Sequence, residues 1–243
     1  MQVWTLHNPM RYALILAAGP AIMFEFKGRL HLYEGLPGID ELRIAKTWMF
    51  MASGDKVGEA TKQWADEIAD LLRESGGGNT RIACDKLDGA GMHALTERGV
   101  SCFEATQITE IARSIKSADE IELMRWTIRV FEAGMARIYD HSVPGVTEQE
   151  LWAPLHFENA RSGGDWLETK LLTCGPQTNP WYQECSNREC REVEMISFDT
   201  DMIGPYGYCA DLSRSWTCGY TPMTSFNAAS MTQPLNKLIT TWN

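Results

Sequence analysis

The stretch 198–214 predicts an antiparallel hairpin, because a short turn that contains glycine and proline separates two predicted strands. Asp199 and Asp201 are two positions apart, so their side chains lie on the same face of a strand. A loop made of residues 205–207 places Gly207 at the left-handed position that three-residue hairpin loops favour. We therefore predict two strands joined by this loop.

The length of the loop decides which residues face each other across the hairpin. With the three-residue loop, Gly204 pairs with Tyr208, and counting back from that pair places Asp201 opposite Asp211 on one face. A two-residue turn on Pro205-Tyr206 instead sends Asp211 to the other face. The position of the glycine favours the three-residue loop, so we predict one sheet face that carries three carboxylates.

Three carboxylates on one sheet face repel each other unless a cation compensates them, and without a cation at least one of them has a raised pKa. A hard or borderline divalent ion removes this repulsion, because carboxylate oxygens are its preferred ligands. The candidate metal ligands are therefore Asp199, Asp201 and Asp211. Three aspartates are too few for a closed binuclear site. The alternative is a solvated polar face, or an ion pair between Asp211 and Arg214.

Residues 1–112 alternate between predicted strands and predicted helices, which indicates a small α/β domain. The predicted strands are residues 12–17, 21–26, 47–52, 81–84 and 100–103, and the predicted helices are residues 59–73 and 89–98. Gly19-Pro20 separates the first two strands and suggests that they pair. The sequence of this domain contains no recognisable chemical motif.

Residues 113–219 predict a second region, in which two helices come before three strands. Two pairs of residues have the spacing of a capping box and mark where the helices begin: Ser117 with Glu120, and Thr147 with Glu150. A linker at residues 112–117 precedes the first helix, which covers residues 118–140. The predicted strands are residues 171–174, 195–200 and 208–217.

The last residues, 220–243, differ in composition from the rest of the chain. They contain one charged residue, Lys237, and no acidic residue, whereas the whole chain has a formal net charge of −10. Two interpretations are open: a flexible tail, or a frameshift or wrongly assigned gene end. The sharp change in composition favours the second.

Net charge and cysteine content narrow the classes of function. An acidic chain repels phosphate backbones, so we do not expect nucleic acid as a partner. The seven cysteines have no CxxC spacing and no histidine at zinc-finger distance, so we predict free thiols in a reducing compartment. No apolar run approaches about 18 residues, the length that predicts a transmembrane helix. We infer a cytoplasmic protein without a membrane partner.

Three motifs resemble the pita-bread catalytic domain of creatinase and aminopeptidase P. Residues 115–125 resemble the helix that opens this domain, and residues 144–151 resemble its turn and second helix. Asp201 and Asp211, followed by Leu-Ser-Arg, resemble the two metal-binding aspartates of the family. Residues 1–112 are similar in kind to the smaller domain of creatinases and prolidases. The resemblance implies an α/β (α+β) fold, with a creatinase-type N-terminal domain before an incomplete pita-bread catalytic domain.

Two departures from the peptidases of this family resemble its dimethylsulfoniopropionate lyase branch instead. Asp201 and Asp211 are ten positions apart, whereas eleven is usual in the peptidases. Trp181 stands where the peptidases have a histidine that handles the peptide substrate. The extra Asp199 and the Gly-Pro-Tyr-Gly-Tyr run at residues 204–208 are also characteristic of the lyase branch.

The lyases of this branch cleave dimethylsulfoniopropionate to dimethyl sulfide and acrylate by β-elimination. The resemblance implies a small-molecule substrate, a homodimer and a divalent metal cofactor, thought to be binuclear iron in this branch, with manganese or zinc as alternatives. A sulfonium cation favours the π face of an aromatic ring, so Trp181 and Tyr206 are the candidate substrate-binding residues. The alternative for Trp181 is an aromatic side chain of the core or of an interface.

The family completes its metal site with a histidine and two glutamates from strands that follow the aspartate hairpin. After Asp211 this sequence has no histidine and no glutamate, so we expect a C-terminally truncated domain with an incomplete site. The general base is expected in the same missing part, so the catalytic residue is unknown. We expect this chain by itself to be inactive or nearly so. The other hypotheses are an Xaa-Pro aminopeptidase, prolidase or creatinase-like metallohydrolase, and a degenerate pita-bread domain without catalysis.

Overall fold

A computed structural model of the 243-residue chain describes residues 11–219. The chain divides into two compact units between Ile115 and Lys116. The tail expected at residues 220–243 lies outside the described residues. Within the described range, no helix is long and apolar enough to cross a membrane.

The first unit contains two small sheets. β1 (Tyr12–Ile15) pairs antiparallel with β2 (Ala21–Glu25), and β2 pairs parallel with β3 (Glu41–Ile44). β4 (Arg81–Cys84) pairs parallel with β5 (Ser101–Glu104). The helices are α1 (Phe50–Ser53), α2 (Val57–Ser75), α3 (Gly89–Thr96) and α4 (Thr106–Ser114). The predicted pairing of the first two strands is confirmed.

The core of the first unit is built around one face of α2. Trp64, Ile68 and Leu72 recur at intervals of four residues, which places them on the same side of a helix. All three are buried in one cluster with the inward side chains of β1 and β2, such as Ile22 and Phe24. The apolar period in the sequence therefore predicts this helix correctly.

Two predictions for the first unit are wrong. Residues 47–52 do not form a strand, because they lead into α1, where the side chains of Phe50 and Met51 are 76% and 78% exposed. A short apolar run does not by itself distinguish a strand from a helix. The third strand is β3, in which charged residues alternate with apolar ones. The predicted linker is also shorter than expected, because α4 continues to Ser114.

The second unit packs two helices on one face of a four-stranded antiparallel sheet. The helices are α5 (Ala118–Asp140) and α6 (Glu148–Arg161), and the strands are β6 (Trp166–Leu167), β7 (Leu171–Cys174), β8 (Met195–Ile203) and β9 (Cys209–Thr217). β9 pairs with β8 along its whole length, so β6 and β7 share the opposite edge of β8. β8 is therefore the central strand of this sheet.

Both capping boxes begin the helices as predicted. The hydroxyl of Ser117 accepts a hydrogen bond from the backbone N–H of Glu120 (3.2 Å), and the carboxylate of Glu120 accepts one from the N–H of Ser117 (2.7 Å). Thr147 and Glu150 make the same reciprocal pair at α6. The bounds predicted for α5 are confirmed. The capping box explains where the helix begins, because it pairs N–H groups that the first turn of a helix leaves without a partner.

The core of the second unit lies between the two helices and the sheet. Its fully buried side chains include Phe131, Ile138, Leu151, Leu155, Phe198 and Met202. α5 and α6 approach so closely at Gly134 that a Cβ atom at this position would collide with the side chain of Leu155. This packing fixes the buried face of β8 and leaves its opposite face for other contacts.

Candidate metal and substrate site

The β8–β9 hairpin has the register that the sequence predicts. The backbone N–H of Gly204 donates to the carbonyl of Tyr208 (2.9 Å), and Gly207 has a left-handed φ of 77°. Asp201 and Asp211 are direct cross-strand partners. Side chains that oppose each other in this way have Cβ atoms about 5 Å apart. The three-residue loop is therefore confirmed, and the two-residue turn is not the one formed.

The three aspartates lie on the sheet face that points away from α5 and α6. Burial alternates along β8, so that Phe198 and Met202 are buried against the helices, whereas Asp199 and Asp201 are half-buried on the other side. Asp211 is exposed and lies on the same face as Asp201, because the two are paired. We call this surface, formed by the three aspartates, the aspartate face.

Partial burial, together with repulsion between neighbouring carboxylates, raises the pKa of two residues on the aspartate face. Partial burial, and then the neighbouring charges of Asp211 and Asp201, raise the pKa of Asp199 from 3.8 to about 6. Desolvation and the charge of Asp201 also raise the pKa of Asp211. These directions are what close carboxylates without a cation produce.

No positive side chain neutralises the aspartate face within the described part of the chain. The salt bridges among residues 11–219 include none to the three aspartates. The guanidinium of Arg214 donates instead to the backbone carbonyl of Ser213 (2.8 Å). The alternative ion pair between Asp211 and Arg214 is therefore not formed.

The donor set suits a divalent cation but does not complete a metal site. Carboxylate oxygens are the preferred ligands of hard and borderline divalent ions, and such an ion would relieve the repulsion described above. Among residues 11–219, no group of three or more His, Cys, Asp or Glu side chains is arranged to hold a metal ion. The seven cysteines all lie within residues 11–219 and form no disulfide there. The three aspartates thus fit the role of a partial ligand set.

We expect the Asp199→Asn variant to stabilise the metal-free protein at neutral pH by about 1 kcal/mol. Because the folded-state pKa of Asp199 lies above its ordinary value, ionisation opposes folding. This destabilisation is absent below about pH 4, develops between about pH 4 and 6, and stays constant at higher pH. Solvent screening of the partly exposed carboxylate reduces the effect from the about 3 kcal/mol that a shift of two pKa units implies.

Urea unfolding in the presence of a chelator, between about pH 4 and pH 7.5, measures this effect. The difference in unfolding free energy between Asp199→Asn and the parent should grow with pH. Ser213→Ala, on the same face of β9, is the matched control and should show no such trend. A difference that does not change with pH would contradict the assignment of the raised pKa to Asp199.

The two aromatic candidates lie outside the paired strands. Trp181 is half-buried in the segment that follows β7, with its ring centroid 6.4 Å from that of Tyr182. Tyr206 lies in the hairpin loop with φ 62° and a side chain that is 79% exposed. Within the described residues, no hydrogen bond or ring contact joins either aromatic side chain to an aspartate. Their proposed role in binding substrate therefore remains a prediction.

Two contacts of the second unit give no clear signal in the sequence. The hydroxyl of Tyr208 donates to the carboxylate of Glu120 (3.2 Å) and connects the hairpin to the start of α5. The carboxylate of Glu148 is buried beside the ends of the segment that contains Trp181. The position of Glu148 directly after the N-cap of α6 is visible in the sequence. Its hydrogen-bond partners are not, because they lie far away in the chain.

Residues 122–235 match the model of metallopeptidase family M24. By this match, the second unit of the chain is similar to family M24. It is 42% identical over 224 residues to the dimethylsulfoniopropionate lyase DddP of Roseobacter denitrificans, a match that covers 90% of this chain and 50% of the relative. The DddP protein of Roseovarius nubinhibens gives the same identity and coverage. The chain spans about half the length of the curated relatives it matches.

Solved structures of a dipeptidase and a prolidase share the fold. The Xaa-Pro dipeptidase from Bacillus anthracis superposes with a TM-score of 0.67 at 18% identity, covering 90% of this chain and 57% of that one. The prolidase from Pyrococcus horikoshii OT3 superposes with a TM-score of 0.68 at 14% identity, with the same coverage. At these identities the likeness concerns the fold, and it confirms the predicted mixed α/β, pita-bread architecture.

Proposed function

We propose that this chain carries part of the active site of a metal-dependent lyase that cleaves dimethylsulfoniopropionate. The observation that carries the proposal is the direct cross-strand pair of Asp201 and Asp211, with Asp199 beside them, in a chain that is 42% identical to proteins named dimethylsulfoniopropionate lyase. Because the chain spans about half of those relatives, the activity of a whole lyase is part of the proposal.

The reaction is a β-elimination. A base removes a proton from the carbon beside the substrate carboxylate, a carbon–carbon double bond forms, and the carbon–sulfur bond breaks. The electron pair of that bond leaves with dimethyl sulfide, and acrylate remains. The residue that acts as the base is unknown.

The aspartate face and the two aromatic side chains take different parts in the proposed site. Asp199, Asp201 and Asp211 would hold a divalent metal, which supplies positive charge beside the substrate carboxylate. Trp181 and Tyr206 would offer ring faces to the sulfonium, since a cation near an aromatic ring is stabilised by about 0.5–2 kcal/mol. In this proposal the substrate carboxylate meets the metal, and the sulfonium meets the aromatic rings.

The finer features of the proposal come from the resemblance to the lyase branch. We propose binuclear iron as the metal, with manganese or zinc as the alternatives, and a homodimer in the cytoplasm. The carboxylate ligands suit all three metals, so competition between metals has to identify the ion. Sedimentation of the purified protein measures its oligomeric state.

A metallohydrolase that acts on a C–N bond is the second candidate. The match to family M24 and the fold shared with the Xaa-Pro dipeptidase favour it. Trp181 counts against it, because the peptidases that this chain resembles have a histidine at that position. A domain that has lost catalysis is the third candidate, and the retained aspartates count against that one.

A headspace assay for dimethyl sulfide separates the lyase from the metallohydrolase. The purified chain is incubated with dimethylsulfoniopropionate and Fe²⁺, Mn²⁺ or Zn²⁺, and parallel samples receive an Xaa-Pro dipeptide. We expect metal-dependent release of dimethyl sulfide, however slow, that disappears in the double variant Asp201→Ala, Asp211→Ala. Proline release instead would favour the metallohydrolase. Metal binding without either product would indicate an incomplete active site, which a lyase fragment and a domain that has lost catalysis would share.

A further inference from the structure

The carboxylate of Glu148 is fully buried at the start of α6, where the hairpin site does not use it. One of its oxygens accepts a hydrogen bond from the backbone N–H of Cys174 (2.7 Å). The other accepts from both the backbone N–H (2.9 Å) and the hydroxyl (2.7 Å) of Ser186. With the amide of Gln177 turned to satisfy its neighbours, its nitrogen lies 2.8 Å from both oxygens.

These donors bracket a single segment of the chain. Residues 175–185 leave the end of β7 at Cys174 and return beside its beginning, where the N–H of Cys185 donates to the carbonyl of Lys170 (2.9 Å). Trp181 lies within this segment. Glu148 therefore binds the last residue before the segment, the first residue after it, and one side chain inside it.

The segment needs such an anchor, because beyond one helical turn at Gly175–Thr178 its described residues form no regular secondary structure. Tyr182, next to Trp181, has φ 72°, a left-handed conformation that non-glycine residues keep where their surroundings determine it. Its side chain is 80% exposed, so packing of that ring does not provide the restraint. Hydrogen bonds inside the segment are local, such as those from the Thr178 hydroxyl to the carbonyl of Gly175 (2.8 Å) and from the Gln183 side chain to the carbonyl of Pro180 (2.8 Å). The bonds to Glu148 and Lys170 instead connect the segment to other parts of the second unit.

The charge of Glu148 is suited to this task. Among the salt bridges of the described residues, none involves Glu148, so N–H and O–H dipoles compensate its charge. The residue is also in the first turn of α6, where the helix dipole favours a negative charge. Hydrogen bonds to an ionised acceptor are shorter and stronger than those between neutral groups, so one carboxylate can hold several donors in place. We call the hydrogen bonds from Cys174, Gln177 and Ser186 to Glu148 the clamp.

We propose that Glu148 is a positioning residue, which holds residues 175–185 in place and thereby sets the position of Trp181. The part of this inference that concerns substrate rests on the proposed function, in which Trp181 meets the sulfonium. The clamp itself is independent of that function. Loss of the clamp should therefore change the segment first and the binding of the cation as a consequence.

Hydrogen exchange of the whole chain, read by mass spectrometry, tests the clamp in Glu148→Gln. Glutamine has the same shape but one acceptor fewer, which leaves a buried donor unpaired. We expect amide exchange in residues 175–186 to become about tenfold faster or more, with little change in β8 and β9. Glu150→Gln, an exposed carboxylate two positions further along the helix, is the matched control and should leave this segment unchanged.

A binding titration tests the consequence for Trp181. Dimethylsulfoniopropionate is added to the Mn²⁺-loaded protein, and the fluorescence change that Trp181→Phe removes is taken as the signal. Glu148→Gln should raise the dissociation constant about tenfold, while the affinity for Mn²⁺ alone changes by less than about twofold. A purely structural role would lower both affinities together.

The outcomes separate the clamp from the proposed function. Unchanged exchange in residues 175–186 of Glu148→Gln, or equal acceleration throughout the second unit, overturns the clamp. Faster exchange confined to the segment, without any Trp181-dependent signal in the parent, supports the clamp and overturns the role of Trp181 in binding. If Glu148→Gln does not fold, Ser186→Ala removes one donor to the carboxylate and should produce a smaller acceleration in the same segment.

Discussion

Replacement of Phe198 by alanine is expected to lower the free energy of unfolding of the second unit by about 3–5 kcal/mol. The side chain is 1% exposed on the central strand, and its ring centroid lies 5.9 Å from those of both Phe131 and Trp152. The variant loses the transfer free energy of a phenyl ring and leaves a cavity between the sheet and both helices. Urea unfolding followed by circular dichroism measures the loss.

Phe157→Ala is the matched control for this prediction. Its ring is 57% exposed on α6 and lies 5.4 Å from the guanidinium of Arg137, so its removal creates no cavity in the core. We expect a loss of about 1 kcal/mol or less, from the exposed cation–π contact. Equal losses in the two variants would show that Phe198 is not a core residue of the second unit.

Replacement of Asp201 or Asp211 by asparagine is expected to lower the affinity for Mn²⁺ by about 100-fold or more. Changes to groups that merely orient metal ligands already cost about 10–100-fold, and a lost carboxylate ligand costs at least as much. The two residues face each other across the hairpin, so each variant removes one side of the same pair. Titration calorimetry of the purified protein measures the affinity.

The matched control is Asp119→Asn, which removes an exposed carboxylate from the first turn of α5. It should leave the affinity for Mn²⁺ within about twofold of the parent, because Asp119 is not part of the aspartate face and its exposed charge is screened by salt. The double variant Asp201→Asn, Asp211→Asn should bind Mn²⁺ about as weakly as either single variant. The effects of two substitutions on the binding free energy do not add when both residues belong to one site. Full affinity in both single variants would refute the metal-binding role of the hairpin.

Local sequence signals predict much of this structure, because they depend on neighbours in the chain. The capping box at Ser117 fixes the start of α5, and Gly207 fixes the loop that pairs Asp201 with Asp211. Both features follow from hydrogen bonds and backbone conformations that span a few residues. The hairpin, with its predicted face of carboxylates, was therefore accessible from the sequence.

Features that depend on distant contacts were not accessible. β3 has only four residues, too few for its alternation of charged and apolar side chains to be distinctive, and its pairing with β2 is what identifies it as a strand. β6 is two residues long and is formed by pairing with the end of β8. The partners of Glu148 at Cys174 and Ser186 are 26 and 38 positions away in the chain. The ligand roles of the aspartates, by contrast, remain a prediction.

The opposed pair of Asp201 and Asp211 connects strand pairing to the ionic composition of the solution. The strands bring two negative charges together on folding, and an unfolded chain is free to separate them. An ion that binds the folded hairpin and not the unfolded chain stabilises it through thermodynamic linkage, by about 2.7 kcal/mol when its concentration is 100 times the dissociation constant. The melting temperature of the second unit would then report the concentration of free divalent metal.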